Sequence, residues 1–552
     1  MRLFSSLPSF ALFVASLLSF TGLEAIPSRR LAAVDSRPNI LMIYADDWGR
    51  CASAYAGLDG PGTFNDVVHT PNFDRLAKEG VLFRRAFISA PSCTPSRSAI
   101  LSGQHFWRAG RGSILLGAVW DPSLPAFPLL LKDAGYHIGE TYKVWSPGTP
   151  GDAPYGAGQF AYEKAGSNFN QFSQYVTAKH REGLPIEEAK EQLYAQVEKN
   201  FDDFLKARPG KQPFCYWFGP TNVHRQWIQG SGKDLWQIEP DALRGKLPKF
   251  LADVPVIRQD FADYLGEVQA LDAGVGVLLR KLEAIGELDD TLIVMSGDHG
   301  PPGFPHGKCN LYDFGTSVPL AIRWGKAPGG RVVDDLISTI DLAPTFLQLA
   351  GLEIPPSMLG KSLAAILRSN ASGRISNDRE AVFIGRERHV DMARADYKPY
   401  PQRAIRTHDF LYIINFRPDR WPLGDPFRLG SGETPPSSRE LTNNTFVTFP
   451  DDDAGPAKAW LVEQRHSAEW KWLYEATYFK RPREELYDLK ADPDQMTNVA
   501  GDPRYAAVQR ELNQRLLDEL RQTRDPRMVD DGRFFETPPM SDPVPAKKAK
   551  KK

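Results

Sequence analysis

Two short apolar runs, far apart in the chain, each stop on a group of acidic residues. The first is Asn39-Ile40-Leu41-Met42-Ile43-Tyr44-Ala45, followed by Asp46-Asp47. The second is Thr291-Leu292-Ile293-Val294-Met295, followed by Ser296-Gly297-Asp298-His299-Gly300. A run that is apolar at every position, not at alternate ones, suits a strand buried on both faces of a parallel sheet. Between the runs the pattern turns helical: Leu265, Val268, Asp272, Val275, Leu278, Leu279, Leu282 and Ile285 share one face. The stretch 341–349 reads as a helix as well. This alternation predicts an α/β domain over residues 36–368, with a large, mostly parallel central sheet flanked by helices. Ligands in such sheets gather at the carboxyl ends of the strands, where both acidic groups fall.

The texture changes near residue 370. Residues 381–384 and 410–415 read as strands in a Pro-rich background, 470–478 is dense in aromatics, and 505–522 reads as an amphipathic closing helix. A smaller α+β domain is expected over 369–529. The remainder, 530–552, is polar and rich in Pro and Lys, and disorder is expected there. At the other end, Arg2, the apolar stretch 7–20 and the small residue Ala25 fit a secretory signal peptide over 1–25, too short and interrupted for a membrane span. The mature protein is therefore expected to be exported (periplasmic, secreted or lysosome-like according to host), without stable membrane insertion.

Composition narrows the classes further. With 552 residues and 42% hydrophobic content the chain can bury a large core, which excludes disorder as its main state. Its 4 cysteines, Cys51, Cys93, Cys215 and Cys309, are too few for a disulfide scaffold. Lys and Arg number 67 against 68 Asp and Glu. Five of the lysines crowd into the last six residues, so the body is mildly acidic. A nucleic-acid partner is not expected on that balance.

Adjacent carboxylates at a strand end repel unless a cation neutralises them. Asp46, Asp47, Asp298 and His299 are thus candidate ligands of one metal ion, with solvated or helix-capping aspartates as the plainer alternative. Three carboxylates suit Ca²⁺ or Mg²⁺, and the imidazole leaves room for other metals.

A second constellation is Cys93-Thr94-Pro95-Ser96-Arg97, continuing to Leu101-Ser102-Gly103. Its Cys-x-Pro-Ser-Arg spacing resembles the signature of the type I sulfatases. The segments 39–49, 70–87, 298–300 and 307–319 resemble the same family. The resemblance implies an alkaline-phosphatase-like fold and conversion of Cys93 to formylglycine (3-oxoalanine) by a formylglycine-generating enzyme. It further implies one Ca²⁺ held by Asp46, Asp47, Asp298 and His299 beside modified Cys93. Arg97 would stabilise the hydrate and the metal-bound carboxylates, while Lys143, Lys308 and His224 would hold the sulfate group or protonate the leaving atom. One position departs from the family pattern: Trp145 stands where a His is usual. Either another group such as His105 or His137 takes its part, or the elimination step runs differently.

Within the family the closest resemblance is to the heparan N-sulfatases, carried by Asn310-Leu311-Tyr312, by 400–406 and 410–416, and more weakly by 484–488 with Asn498-Val499-Ala500. A sulfated glycan, N-sulfoglucosamine among the options, is the implied substrate. Glu387, Arg388, His389 and Arg403 form a polar group at a strand exit that could bind a sugar and its carboxylate or second sulfate. Interdomain salt bridges are the alternative for each of them. Competing activities are phosphodiester or phosphonate hydrolysis on the same scaffold, and glycan binding by a catalytically weakened site.

Overall fold

The computed structural model describes residues 37–155 and 158–544. The expected signal peptide over 1–25 lies outside these residues. Among the described residues, twelve strands form two sheets. The larger contains β1 (Asn39–Ala45), β2 (Val81–Phe87), β3 (His137–Tyr142), β4 (Phe214–Gly219), β5 (Thr291–Gly297), β6 (Ser317–Val318), β7 (Leu320–Trp324) and β8 (Arg331–Ser338). Their order is β3-β4-β1-β5-β7-β2-β6, with β8 on the other edge of β2. The pairings of β1, β3, β4 and β5 are parallel, as is that of β2 with β8, while β6 and β7 run against their neighbours. The fold is the mostly parallel α/β arrangement expected from the two apolar runs.

The reason those runs are apolar at every position is visible in β1. Leu41, Ile43 and Ala45 enter the core on one face of the sheet. Ile40, Met42 and Tyr44 enter the core on the other. The first face is covered by helices Ile186–Ala207 and Pro255–Ala284, whose Leu265, Val268, Asp272, Val275, Leu278, Leu279 and Leu282 are buried as the periodicity predicts. Ile285, expected to continue that face, caps the helix and is exposed. The second face is covered by helices Cys93–Ser102, Phe127–Asp133 and Leu342–Leu349. None of the described helices is long and apolar enough to cross a membrane.

The smaller sheet is antiparallel, in the order β12-β11-β10-β9: β9 (Ala381–Arg386), β10 (Gln402–Thr407), β11 (Phe410–Asn415) and β12 (Glu484–Asp488). Helix Ala506–Gln522 lays Leu512, Leu516 and Leu520 against Ile405, Tyr412, Ile414 and Leu486 of this sheet. From Arg37 onward the chain forms one compact unit, so the expected boundary between 368 and 369 separates two sheets within one body.

The disorder expected from residue 530 does not hold for 530–544. Arg533–Glu536 is a short helix, and Phe535 and Met540 are each 1% exposed. Glu536 accepts hydrogen bonds from Arg420 and Arg527, each at 2.8 Å. The composition was polar, but two apolar anchors and a paired carboxylate suffice to fasten the segment.

Candidate active site

β1, β3, β4 and β5 point the same way, so the residues after their last positions meet on one rim. Asp46 and Asp47 follow β1, Lys143 follows β3, and Asp298 and His299 follow β5. His224 lies in the loop after β4. Cys93 opens the helix Cys93–Ser102 after β2, with extended Ser92 before it. Pro95 is tolerated in the first turn, where its missing N–H is not needed. Gly103 ends the helix with φ 64°, the left-handed conformation that glycine adopts without strain, and its N–H returns to the carbonyl of Ala99.

The thiol of Cys93 lies 3.3 Å from His299 Nε2 and 4.0 Å from Asp47 Oδ1. Asp47 has φ 54°, a left-handed backbone uncommon outside glycine, and its N–H donates to Asp298 Oδ1 at 2.8 Å. That turn brings the two acidic groups together. His299 Nε2 is 3.2 Å from Asp47 Oδ1 and 3.6 Å from Asp298 Oδ1. Ligand-capable atoms of Asp47, Cys93 and His299, and of Asp46, Cys93 and Asp298, form two tight groups that share the cysteine.

Cations surround these carboxylates. Arg97, fully buried, donates Nε to Asp298 Oδ2 at 2.8 Å and Nη2 to Asp46 Oδ1 at 3.2 Å. Lys143 Nζ reaches both oxygens of Asp46, at 2.7 and 2.8 Å. Lys308 Nζ lies 3.2 Å from Asp47 Oδ2 and 3.1 Å from Asp453 Oδ2. His224 Nε2 is 3.8 Å from Asp47 Oδ2, and its Nδ1 lies 2.6 Å from the carbonyl of Arg225. That carbonyl can only accept, so Nδ1 carries a proton and Nε2 faces the cluster. A cleft of about 350 Å³ opens here, with Asp46, Lys143 and His224 in its wall.

The charges tune one another. Burial alone raises a carboxyl, yet Lys143 and Arg97 outweigh it and hold Asp46 well below its ordinary value. Asp298 goes the other way, raised by burial despite His299 and Arg97. Burial pulls the Lys308 ammonium down, but Asp453 and Asp47 more than offset this and hold it well above normal. Burial and the charge of Asp46 push the Cys93 thiol far up. An unmodified Cys93 is therefore a protonated thiol here, unlike the low-pKa thiolates that act as nucleophiles.

The structure brings together Asp46, Asp47, Cys93, Arg97, Lys143, His224, Asp298, His299 and Lys308, all singled out from sequence. Of the four residues expected to bind substrate, only His389 comes near: its Nδ1 is 2.8 Å from Ser92 Oγ. Burial and then the charge of Lys308 push its ring down to about 3, so it is neutral. Glu387, Arg388 and Arg403 are corrected. Arg403 donates to Glu387 at 2.9 Å and to Asp525 at 2.5 Å, and Glu387 also receives Arg527 at 2.5 Å. Arg388 donates to the carbonyls of Asp542 and Leu116 at 2.7 and 2.8 Å. Glu387 and Arg403 are committed to buried ion pairs, and Arg388 to two backbone carbonyls, with its Nε left buried and unpartnered.

Neither histidine considered as a substitute for the position of Trp145 is at the site. His105 lies 3.1 Å from Glu519 and stacks on Trp107. His137 begins β3, five residue rises and so roughly 16 Å from its carboxyl end at 3.3 Å per residue. Trp145 itself is buried, donates its indole N–H to Ser98 Oγ at 2.8 Å and packs on Trp120. It braces the helix that carries Cys93.

Asp453 was missed. It belongs to Asp451-Asp452-Asp453, a run that reads as a solvated charge cluster. In fact all three are engaged: Asp451 holds Arg386 and Arg394, Asp452 accepts from Tyr478, and Asp453 holds Lys308. Pro450 before the run and Gly455 two residues after it are the only local sign that it turns inward.

Comparison with known proteins agrees with this geometry. Residues 38–352 match the sulfatase family, and residues 302–425 match the C-terminal family of N-sulphoglucosamine sulphohydrolase. The chain is 28% identical over 516 residues to human N-sulphoglucosamine sulphohydrolase, covering 89% of this chain and 91% of that one. Among solved structures, a protein in complex with its substrate D-glucosamine-2-N,6-O-disulfate superposes with TM-score 0.57 at 21% identity, covering 89% of this chain and 99% of that one. The phosphonate monoester hydrolase of Agrobacterium radiobacter gives TM-score 0.57 at 20% identity, covering 90% and 97%. Both likenesses are of fold. With more than half of its length matched and the rim residues assembled as described, the chain belongs to the sulfatase family and is a sulfuric ester hydrolase.

Proposed function

We propose that this protein is an exported sulfatase that removes sulfate from sulfated glycans, with N-sulfoglucosamine as the favoured substrate unit. The observation that carries it is the convergence on buried Cys93 of three carboxylates, an imidazole and three cationic side chains, all at the carboxyl rim of one sheet. The resemblance over 302–425 and the human relative, which is an N-sulphoglucosamine sulphohydrolase, support the sugar.

The donor set fits a divalent cation. Ligand atoms of Asp46, Asp47, Asp298 and His299 fall into overlapping groups that share Cys93, an oxygen-rich donor set with one imidazole that remains available beside the cations pairing its carboxylates. These residues would hold Ca²⁺, which accepts oxygen-rich sites. The ion would supply positive charge to the sulfate oxygens, and formylglycine made from Cys93 would supply, as its hydrate, the attacking hydroxyl.

The chain's own residues do the rest. Lys143 and Lys308 present ammonium groups from two sides of the carboxylate cluster, placed to bind the remaining sulfate oxygens. Arg97 ties Asp46 to Asp298 and so fixes the two strand ends relative to the helix of Cys93. His224, with Nδ1 tied to the Arg225 carbonyl and Nε2 turned to the cleft, would act from Nε2 in its imidazolium form, passing that proton to the leaving nitrogen or oxygen as its bond to sulfur breaks. Release of free sulfate from N-sulfoglucosamine tests the reading. Turnover of O-sulfated sugars alone would overturn the substrate, and preferred turnover of a phosphonate monoester would overturn the sulfated-glycan reading. Intact mass of the Cys93 peptide, expected about 18 Da below that of cysteine, tests the modification.

A further inference from the structure

We propose that a second cavity, sharing no wall residue with the cleft at Cys93, binds a sulfated sugar unit through its oxyanion. The choice of a sulfated sugar rests on the glycan reading above. The cavity itself does not.

It encloses about 620 Å³, within the range of small-ligand sites, and Arg50, Arg84, Arg85, Arg406, Phe250 and Phe314 are in its wall. The pairing of β2 with β8 shifts register between Phe83 and Arg85. Such an irregularity re-aims side chains that would otherwise alternate. Consecutive Arg84 and Arg85 accordingly turn to one carboxylate, Asp334 Oδ1, at 3.3 and 3.9 Å. Arg50 and Arg406 are each satisfied by a carboxylate of their own, Asp59 at 2.6 Å and Asp313 at 2.7 Å. Two guanidiniums sharing one carboxylate leave positive charge facing the cavity. Lys246, also in the wall, is 3.9 Å from its nearest acid, Asp66. Burial, and then the charge of Arg406, hold the Arg85 guanidinium below its ordinary value, as expected where cations crowd. Three carboxylates are also in the wall: Asp59 and Asp313, already paired with Arg50 and Arg406, and Asp494, which burial raises toward the neutral form.

A second observation points to a ligand. Gln495, 3% exposed and in the cavity wall, accepts the N–H of Asp313 on Oε1 at 2.9 Å. That bond fixes the amide orientation and leaves Nε2 a buried donor without a partner, as is Arg84 Nε. Buried donors left unmatched are costly, and an oxyanion satisfies several at once. The volume exceeds what a bare sulfate fills. The rings of Phe250 and Phe314, 5.0 Å apart between centroids, offer an apolar surface for a sugar ring.

The test is calorimetric titration of the Cys93→Ala chain, which cannot turn over, with N-acetylglucosamine 6-sulfate, unsulfated N-acetylglucosamine and inorganic sulfate. The expected result is saturable binding of the sulfated sugar that Arg85→Ala weakens at least tenfold and Lys308→Ala leaves in place. Arg85→Gln and Gln495→Leu, with melting curves, serve as second variants should Arg85→Ala fold poorly. Binding unmoved by these substitutions, or equal for the unsulfated sugar or for inorganic sulfate, would overturn the proposal, as would no binding at all. Sulfate release from a small substrate by Arg85→Ala with Cys93 intact should equal that of the unaltered chain. Failure of both to release sulfate would sink the catalytic reading and leave the cavity to be judged by binding alone.

Discussion

Lys308 is held between Asp47 and Asp453, so its ammonium cannot swing away from the cluster or lose its proton near neutral pH. Replacing Lys308 with Ala should lower kcat about 10²–10³-fold in a sulfate-release assay, the usual loss for one buried donor aimed at developing charge. Asp453→Asn keeps the shape but frees the lysine, and should cost less, about tenfold. The two substitutions combined should cost little more than Lys308→Ala alone, because one acts through the other. The lysine was legible in sequence because its motif is local, whereas Asp453 was not, because its partner is remote. The same contrast explains Glu387 and Arg403. Their chemistry suggested a ligand site, but Asp525 and Arg527, far along the chain, consume it.

Two elements show how charge burial shapes the sheet. Glu140 sits on β3 with both carboxyl oxygens buried and without partners, and burial, then Asp152 and Glu163, push it up to about 9. Folding therefore keeps a proton that the unfolded chain releases above its ordinary 4.5. The folded state is favoured below that value and loses this advantage as pH rises toward 9. Glu140→Gln removes the dependence, so its melting temperature relative to the unaltered chain should climb from pH 5 to pH 8. The corresponding gain is on the order of 2–4 kcal/mol. In the smaller sheet, Arg403→Met strands Glu387 and Asp525 without a shared cation and should cost about 3–5 kcal/mol in denaturant unfolding. Turnover per folded molecule should be unchanged, whereas a large rise in KM would restore the substrate-binding role first expected of Arg403. The central strands themselves were legible because burial on both faces leaves an unmistakable apolar run. The small sheet's ion pairs have no such local signature.

At the scale of the whole molecule, residues 530–544 close the body they were expected to leave free. Phe535→Ala should cost about 3–5 kcal/mol, and removal of 530–552 at least as much, read as a drop in Tm. Composition misled here because burial of a few anchors outweighs the average polarity of a segment. The cage around Cys93 carries a consequence for order in time. Asp47 and His299 lie against it, Lys308 backs Asp47 and His389 backs the adjoining Ser92, so the cage is drawn from both sides of the sequence, some of it hundreds of residues downstream. Once they are in place the sulfur is sealed from anything as large as an enzyme. If Cys93 is matured as proposed, an enzyme would have to reach it before these groups close over it, so the proportion of modified chains would be set while the chain is still open.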